Sequence, residues 1–516
     1  MLESFRFSAY KNAISLFTLL SFRTQVVTPL ELPVDQSVTF EPFADVHPGM
    51  PIAGLFQPTG FPGEESDRLR RIALAARLID IVNRLAPART PPIPAAYGPF
   101  LASVYPPLMR RAWPSPPAVP PGLAREPGQP GPDLFAALAV EGPFGSYLRA
   151  APAGDSASGG QYVIDLDWML DIPARRGLLA PGGTVHFSHR DGSLRTVGLT
   201  RAGSPVALAA WRGRQLEADA MLAAMNEDLT TLRHNVFVHL ATLTPFALAS
   251  TNRLPADHPV RRLLHHCFHT VLIGNRELGE LQLGGPSGFA ATIFSHDHVE
   301  VARMATQRLT GYDFWDLEPD TQFARRGTTT TPFPYPYRDN VLELWAVNLA
   351  YVRRYVALYY PDDASVAADP QLVAWLDDLD RLLPNGLGAR PQSIADWVAR
   401  ICATLIHLST VEHDILNNVT WDYSTLGWLV PTVAPSNGER MDQRRAFDLI
   451  STLIVTWKPY NMLLRADIPE LALDVDARAV MAAWIADLER IQANMAAAAR
   501  RPSLSYPANL NVSISN

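Results

Sequence analysis

The chain has 516 residues, 47% of them hydrophobic and 18% charged. That composition can fill one large domain or up to about three smaller ones, and it excludes a disordered or coiled-coil protein. The formal net charge of −7 argues against a nucleic-acid partner, because neutralising phosphates requires a concentrated basic face.

In chain order, residues 13–22 lie between Lys11 and Arg23 and have the apolar character of a short signal core. No small-residue cleavage site follows, so a soluble, cytoplasmic protein is expected in preference to a secreted one. Proline and glycine punctuate the first 130 residues, which end in the run from Trp113 to Pro132. This region reads as an extended arm or lid, since proline removes a donor and blocks helix. Within it, Asp67 to Ala86 has apolar residues at three- and four-residue spacing, which predicts an amphipathic helix. Any peripheral membrane contact would fall in this N-terminal region.

Asp133 to Arg149 reads as a helix followed by a Gly-Pro break. Gly183 to Leu199 alternates around Asp191-Gly192, a hairpin signal. From about Gln215 to Arg500 the period is helical almost throughout, so 131–516 reads as one mainly α domain with a small hairpin or sheet region. No stretch reads as the ~20-residue apolar run that crosses a membrane. Cys267 and Cys402 cannot build a disulfide framework or a four-thiolate zinc site and read as small buried hydrophobes.

Thirteen histidines offer several groupings. His186 and His189 fall on the hairpin and are expected to face solvent. His265, His266 and His269, like His296 and His298, look like metal motifs but have no carboxylate at a fixed helical offset, so a structural role is expected. His234 and His239 differ because they sit five apart in an apolar helix. In a regular helix that offset is about 140° of rotation, whereas a π-turn brings them within about 50°. His413 and Asn417, four apart on a second apolar helix, are neighbours on one face. Polar groups in such surroundings need partners. A metal could supply them, and so could backbone hydrogen bonds.

Taken together, these residues resemble the lipoxygenase family of non-haem iron dioxygenases. Asp133–Pro143, Leu248–Ile273, Tyr335–Tyr360, Ser409–Tyr423 and the tail Ser503–Asn516 each resemble family segments, in the same order. The resemblance implies iron, with manganese as the alternative, held by His234, His239, His413, Asn417 and the α-carboxylate of Asn516. Such a donor set suits iron or manganese better than zinc. It also implies that the metal-bound water or hydroxide takes hydrogen from a bis-allylic carbon of a polyunsaturated fatty acid or ester, that O2 adds to give a hydroperoxide, and that no side-chain acid or base takes part.

Several positions depart from the family pattern. One extra residue separates His239 from the Thr-Pro-Phe triplet, and the tail is one residue longer. Thr230 and Thr420 stand where glutamines bridge the metal helices in many members. Glu277 stands where a small residue ordinarily controls where oxygen adds, and Leu281 matches the leucine on the oxygen side of the pocket. A salt bridge from Glu277 to Arg276 or Arg253 would satisfy its charge; an unusual substrate would be the other explanation. Two further functions stay open on these grounds. One is a lipoxygenase-fold metalloenzyme that hydroxylates, desaturates or rearranges a polar or carrier-bound substrate. The other is a non-catalytic lipid-binding homologue, against which the intact ligand residues argue.

Overall fold

The computed structural model describes residues 8, 12, 30–43, 52, 54–59, 133–152, 160–206, 216–283, 285, 288–389, 393–420, 423, 429–437, 462–497 and 505–514. The amphipathic segment Asp67–Ala86 and the proline-rich run therefore lie outside the described residues, as do most of residues 1–130. What is described of the arm forms a short antiparallel ribbon, β1 (Phe40–Pro42) and β2 (Phe56–Pro58). Its flanking residues Leu30, Val38, Phe43, Ile52 and Leu55 are buried in the same apolar cluster as the helical body.

Helix α1 (Leu134–Val140) starts at Asp133, whose carboxylate accepts from Ala136 N. The same carboxylate takes the backbone N–H and the hydroxyl of Thr196, at 2.6 Å each. One N-cap thus ties the helix to the neighbouring sheet. That sheet has five antiparallel strands in sequence order: β3 (Arg149–Ala150), β4 (Tyr162–Asp165), β5 (Thr184–Arg190), β6 (Ser193–Arg201) and β7 (Ser204–Val206). The expected hairpin is its β5–β6 pair. Asp191 and Gly192 both have positive φ, 49° and 71°, as a two-residue type I′ turn requires. The expectation that both hairpin histidines face solvent is corrected for His186. It is 5% exposed and bonds Thr200 Oγ1 through Nε2, because its side of β5 packs inward.

The helical body follows. Helix α2 runs through Leu216–Glu227, Asp228–Leu243 and Thr244–Arg253, and its middle segment is π-wound. Then come α3 (Pro259–Leu264), α4 (Val271–Leu278, widening at Gly279–Leu283), α5 (His298–Leu309), α6 (Pro336–Tyr359) and α7 (Pro370–Leu382). Helix α8 (Ile394–His407) continues through two π-turns, Leu408–Glu412 and Ile415–Val419, and α9 spans Val475–Ala497.

Helix α7 shows how the sequence sets these elements. Asp369 caps it, Pro370 opens it, and Leu372, Trp375, Leu376, Leu379 and Leu382 are its buried stripe. Trp375 then donates to Ser250 Oγ on α2 at 2.9 Å. Helices α6 and α9 meet through Tyr351 and Trp484, whose rings stack at 4.5 Å, and Trp484 donates to Asn348.

Helix α8 requires one correction to the sequence reading. Ile394–Asn417 is long and apolar enough to cross a membrane, yet 78% of its most apolar window is buried inside the protein. It is a central core helix, and its hydropathy follows from burial on all sides. The described tail, residues 505–514, also runs through the interior, with Leu510, Val512 and Ile514 each 1% exposed.

Close packing leaves no room at Gly145. A Cβ there would overlap the ring of Tyr337, while the Gly145 carbonyl accepts from Tyr335 at 2.5 Å. We expect Gly145→Ala to cost about 1–3 kcal/mol through overpacking, read as a lower midpoint in urea with an unchanged slope.

Candidate metal centre

Two helices position the centre, and both are π-wound where it lies. In α2, π winding over Asp228–Leu243 places His234 and His239 on one side. Threonine hydroxyls support the wide turns by bonding carbonyls five residues back: Thr242 to Phe237, Thr244 to His239, and Thr420 to Ile415 in α8. Pro245, just after the π segment, supplies no N–H of its own.

The ring nitrogens of His234, His239 and His413 lie within 4.8 Å of one another, and all three residues are buried. His234 and His239 approach most closely, with their Nε2 atoms 3.1 Å apart. Burial holds the His234 and His413 imidazoles well below their ordinary pKa, and the neighbouring imidazoles push the same way. Neutral rings are what metal ligation requires.

Asn275, a residue that sequence reasoning missed, fixes one tautomer. Its amide nitrogen donates to the His239 carbonyl at 2.8 Å and to Thr244 Oγ1 at 2.9 Å. Its amide oxygen therefore accepts from His239 Nδ1–H at 2.7 Å. That leaves the Nε2 lone pair of His239 facing the other rings. A polar residue on the apolar α4, four before Gly279, was the available sequence signal.

Asn417 lies one turn after His413 on α8, 1% exposed, and its side-chain oxygen has no hydrogen-bond partner. His413 Nδ1 is likewise buried without a partner. One cation would satisfy the converging histidine nitrogens together, and Asn417 Oδ1 is a further buried acceptor on the same helix as His413 that lacks a partner. The donor set therefore fits a metal of the iron or manganese type. Asn516 lies outside the described residues, but the tail that leads to it enters the core. Ser505 exchanges two bonds with Asn340 and donates to Asp414 Oδ2, next to His413, and Ser513 donates to the His269 carbonyl.

The other expected positions fall as follows. Thr230 bonds Asn226 Oδ1, and Thr420 bonds its own helix carbonyl, so both hydroxyls are used locally and neither spans the two metal helices. Glu277 and Leu281 lie on α4 and its wide continuation, with their side chains outside the described residues. Arg253 forms a two-pronged pair with Asp378, at 2.5 and 3.1 Å. Two further histidines have structural partners: His265 bonds the Glu31 carbonyl, and His407 packs on Trp345. His296 pairs with buried Glu227 at 3.0 Å. Burial alone would lower its pKa, but the Glu227 charge and hydrogen bond outweigh that and raise it.

Comparison with known proteins agrees with this geometry. The family model described as Lipoxygenase matches residues 322–445, which include His413 and Asn417. A linoleate 9/13-lipoxygenase of Pseudomonas aeruginosa is 27% identical over 319 residues, 54% of this chain and 45% of that protein. The human hydroperoxide isomerase ALOXE3 is 29% identical over 223 residues, 42% of this chain and 30% of that one. By structure, a calcium-dependent 11R-lipoxygenase superposes with a TM-score of 0.73 at 16% identity, covering 93% of this chain and 78% of the other. Coral 8R-lipoxygenase gives 0.71 at 15%, covering 93% and 79%. The chain is thus similar to the lipoxygenase family in sequence and has its fold. It spans less than half the length of the curated relatives named here.

Two outcomes follow from this geometry. Asn275→Leu removes the partner of His239 and should weaken iron binding about 10- to 100-fold, measured by titration against a competing chelator. Burial also holds His265 and His407 down to about 3 and His266 to about 4. Unfolded histidines take up protons near pH 6.5 while these folded ones do not, so stability is full above that pH and falls as pH drops. His296, raised by Glu227, runs the other way but is one group against several. A urea midpoint lower at about pH 5 than at about pH 7 is the expected result.

Proposed function

We propose that the chain is a non-haem iron dioxygenase that oxygenates a polyunsaturated fatty acid or its ester to a hydroperoxide. The single observation that carries this reading is the convergence of three buried imidazoles, His234, His239 and His413, whose ring nitrogens lie within 4.8 Å of one another. When bound, iron supplies one-electron redox chemistry suited to removing a hydrogen atom from a bis-allylic carbon.

The chain's own residues do the rest. His234, His239 and His413 each offer one ring lone pair, and Asn275 keeps His239 in the required tautomer by accepting its Nδ1–H. Asn417 adds a weak, neutral oxygen donor, so the ligand field leaves room for a changing metal charge. Leu232, Val236, Leu240, Val411 and Ile415, each 3% exposed or less, lie on the same two helices as the histidines, and an apolar, buried setting of this kind limits water, which protects a carbon radical from side reactions. No side chain has to act as acid or base at the reacting carbon.

A second reading is the rearrangement of a preformed hydroperoxide. The similarity to a hydroperoxide isomerase favours it. The two are separated by supplying iron-loaded protein with linoleic acid, arachidonic acid or the hydroperoxide of either. Dioxygenation predicts O2 uptake with growth of conjugated-diene absorbance on the free acids, lost in His413→Ala. Loss of added hydroperoxide without O2 uptake would favour isomerisation. Iron-loaded protein inert to all of them would overturn the proposal.

A further inference from the structure

Helix α2 changes from α to π winding between Glu227 and Asp228, shortly before His234. How that junction is turned about the helix axis sets the register of the π segment, and with it the directions of His234 and His239. Three consecutive polar residues sit there, Asn226, Glu227 and Asp228, and all three are buried. Successive residues on an α-helix point about 100° apart, so the three side chains span about 200° of the circumference.

Each reaches a different part of the chain. The Asn226 amide donates to the Val430 and Pro431 carbonyls at 3.4 and 3.2 Å. Asp228 accepts from the Tyr147 hydroxyl at 2.5 Å and lies 3.5 Å from Arg233. Between them, Glu227 accepts three N–H donors from one short stretch: Ser295 N at 3.1 Å, His296 N at 3.1 Å and His296 Nδ1 at 3.0 Å. Arg175 braces that stretch in turn. Its backbone N–H donates to the Ser295 carbonyl at 2.9 Å, and its guanidinium donates to the Phe294 carbonyl. A buried carboxylate is costly unless its lone pairs are filled, and these partners fill those of Glu227 in this orientation of α2. Apolar contacts tolerate sliding and small rotations, whereas three directed bonds to one carboxylate do not.

We propose that Glu227 is a positioning residue for the metal centre: its clamp on Ser295 and His296 fixes the rotation of α2 at the α-to-π junction, and so aims His234 and His239 toward His413. Asn226 and Asp228 hold the same junction through their own partners. Arg175 and the protonated form of His296 supply the counter-charge to Glu227, so the clamp is compensated without drawing on the metal. Glu227 acts through the helix and touches neither metal nor substrate. This inference rests on the metal-centre reading above.

The test titrates the metal-free full chain with Co2+, whose visible absorption reports ligand number and geometry. Glu227→Gln sets an amide N–H2 against N–H donors. It should weaken Co2+ binding about 10- to 100-fold, the range for residues that orient metal ligands, and shift the visible band. Amide hydrogen exchange across 228–243 should rise in the metal-free variant, with α9 unchanged. Asp133→Asn is the matched control, because Asp133 also takes three donors, from Ala136 and Thr196, but on α1 and β6. It should lower the urea midpoint and leave the Co2+ affinity, the band and the exchange of 228–243 as they are in the unaltered protein. His296→Leu spares both backbone donors and serves if the glutamine variant fails to fold; it should move the same readouts in the same direction by less.

An unchanged Co2+ affinity and band in Glu227→Gln or, where that variant does not fold, in His296→Leu would overturn the assignment. So would an equal shift in Asp133→Asn. If the unaltered protein binds Co2+ and the clamp variants bind it equally well, the positioning role fails and the metal centre stands. If the unaltered protein takes up no Co2+ while exchange across 228–243 depends on Glu227, the metal reading fails and the pinning of the helix stands.

Discussion

Donor atoms withdrawn from water into a packed interior must find partners there, and the architecture of this protein turns on that requirement. An unsatisfied amide oxygen or imidazole nitrogen in an apolar core costs several kcal/mol. Here His234, His239 and His413 bring such atoms to one point between two central helices, and Asn417, buried one turn on from His413, adds an amide oxygen without a partner. A cation at that point turns the cost into a binding site. The π winding of α2 and α8 follows from the same demand, because regular α-helix would turn His234 and His239 away from each other. The threonine hydroxyls that bond carbonyls five residues back then satisfy the backbone of those widened turns.

Around that point the fold is an arrangement of supports. Asn275 orients His239 from α4, Ser505 ties the incoming tail beside His413, and α6 and α9 close the far side through Tyr351 and Trp484. The apolar length of α8 belongs to this scheme as well. It is membrane-like in hydropathy because it is surrounded by protein on all sides.

Much of this was legible in the sequence, and for identifiable reasons. Helical periodicity marks the body because amphipathic burial writes itself at 3.6-residue spacing, and Asp191-Gly192 marks the hairpin because few residues tolerate two positive φ values. The five-residue spacing of His234 and His239 pointed to a widened helix, which is what α2 contains. Tertiary partners were not legible. Nothing local to Asn275 says that it faces His239 across 36 positions, and nothing in β5 says that His186 points inward to Thr200. The pairing of His296 with Glu227 likewise depends on distant segments meeting.

The central claim is that three imidazoles and a neutral oxygen hold one metal ion. X-ray absorption at the iron edge of iron-reconstituted protein tests it most directly, because the multiple scattering of imidazole rings counts the histidines bound. The account predicts three imidazole ligands completed by oxygen donors, with one imidazole fewer in His234→Ala. Iron bound through fewer than three imidazoles in the unaltered protein, or a spectrum indifferent to that substitution, would contradict it.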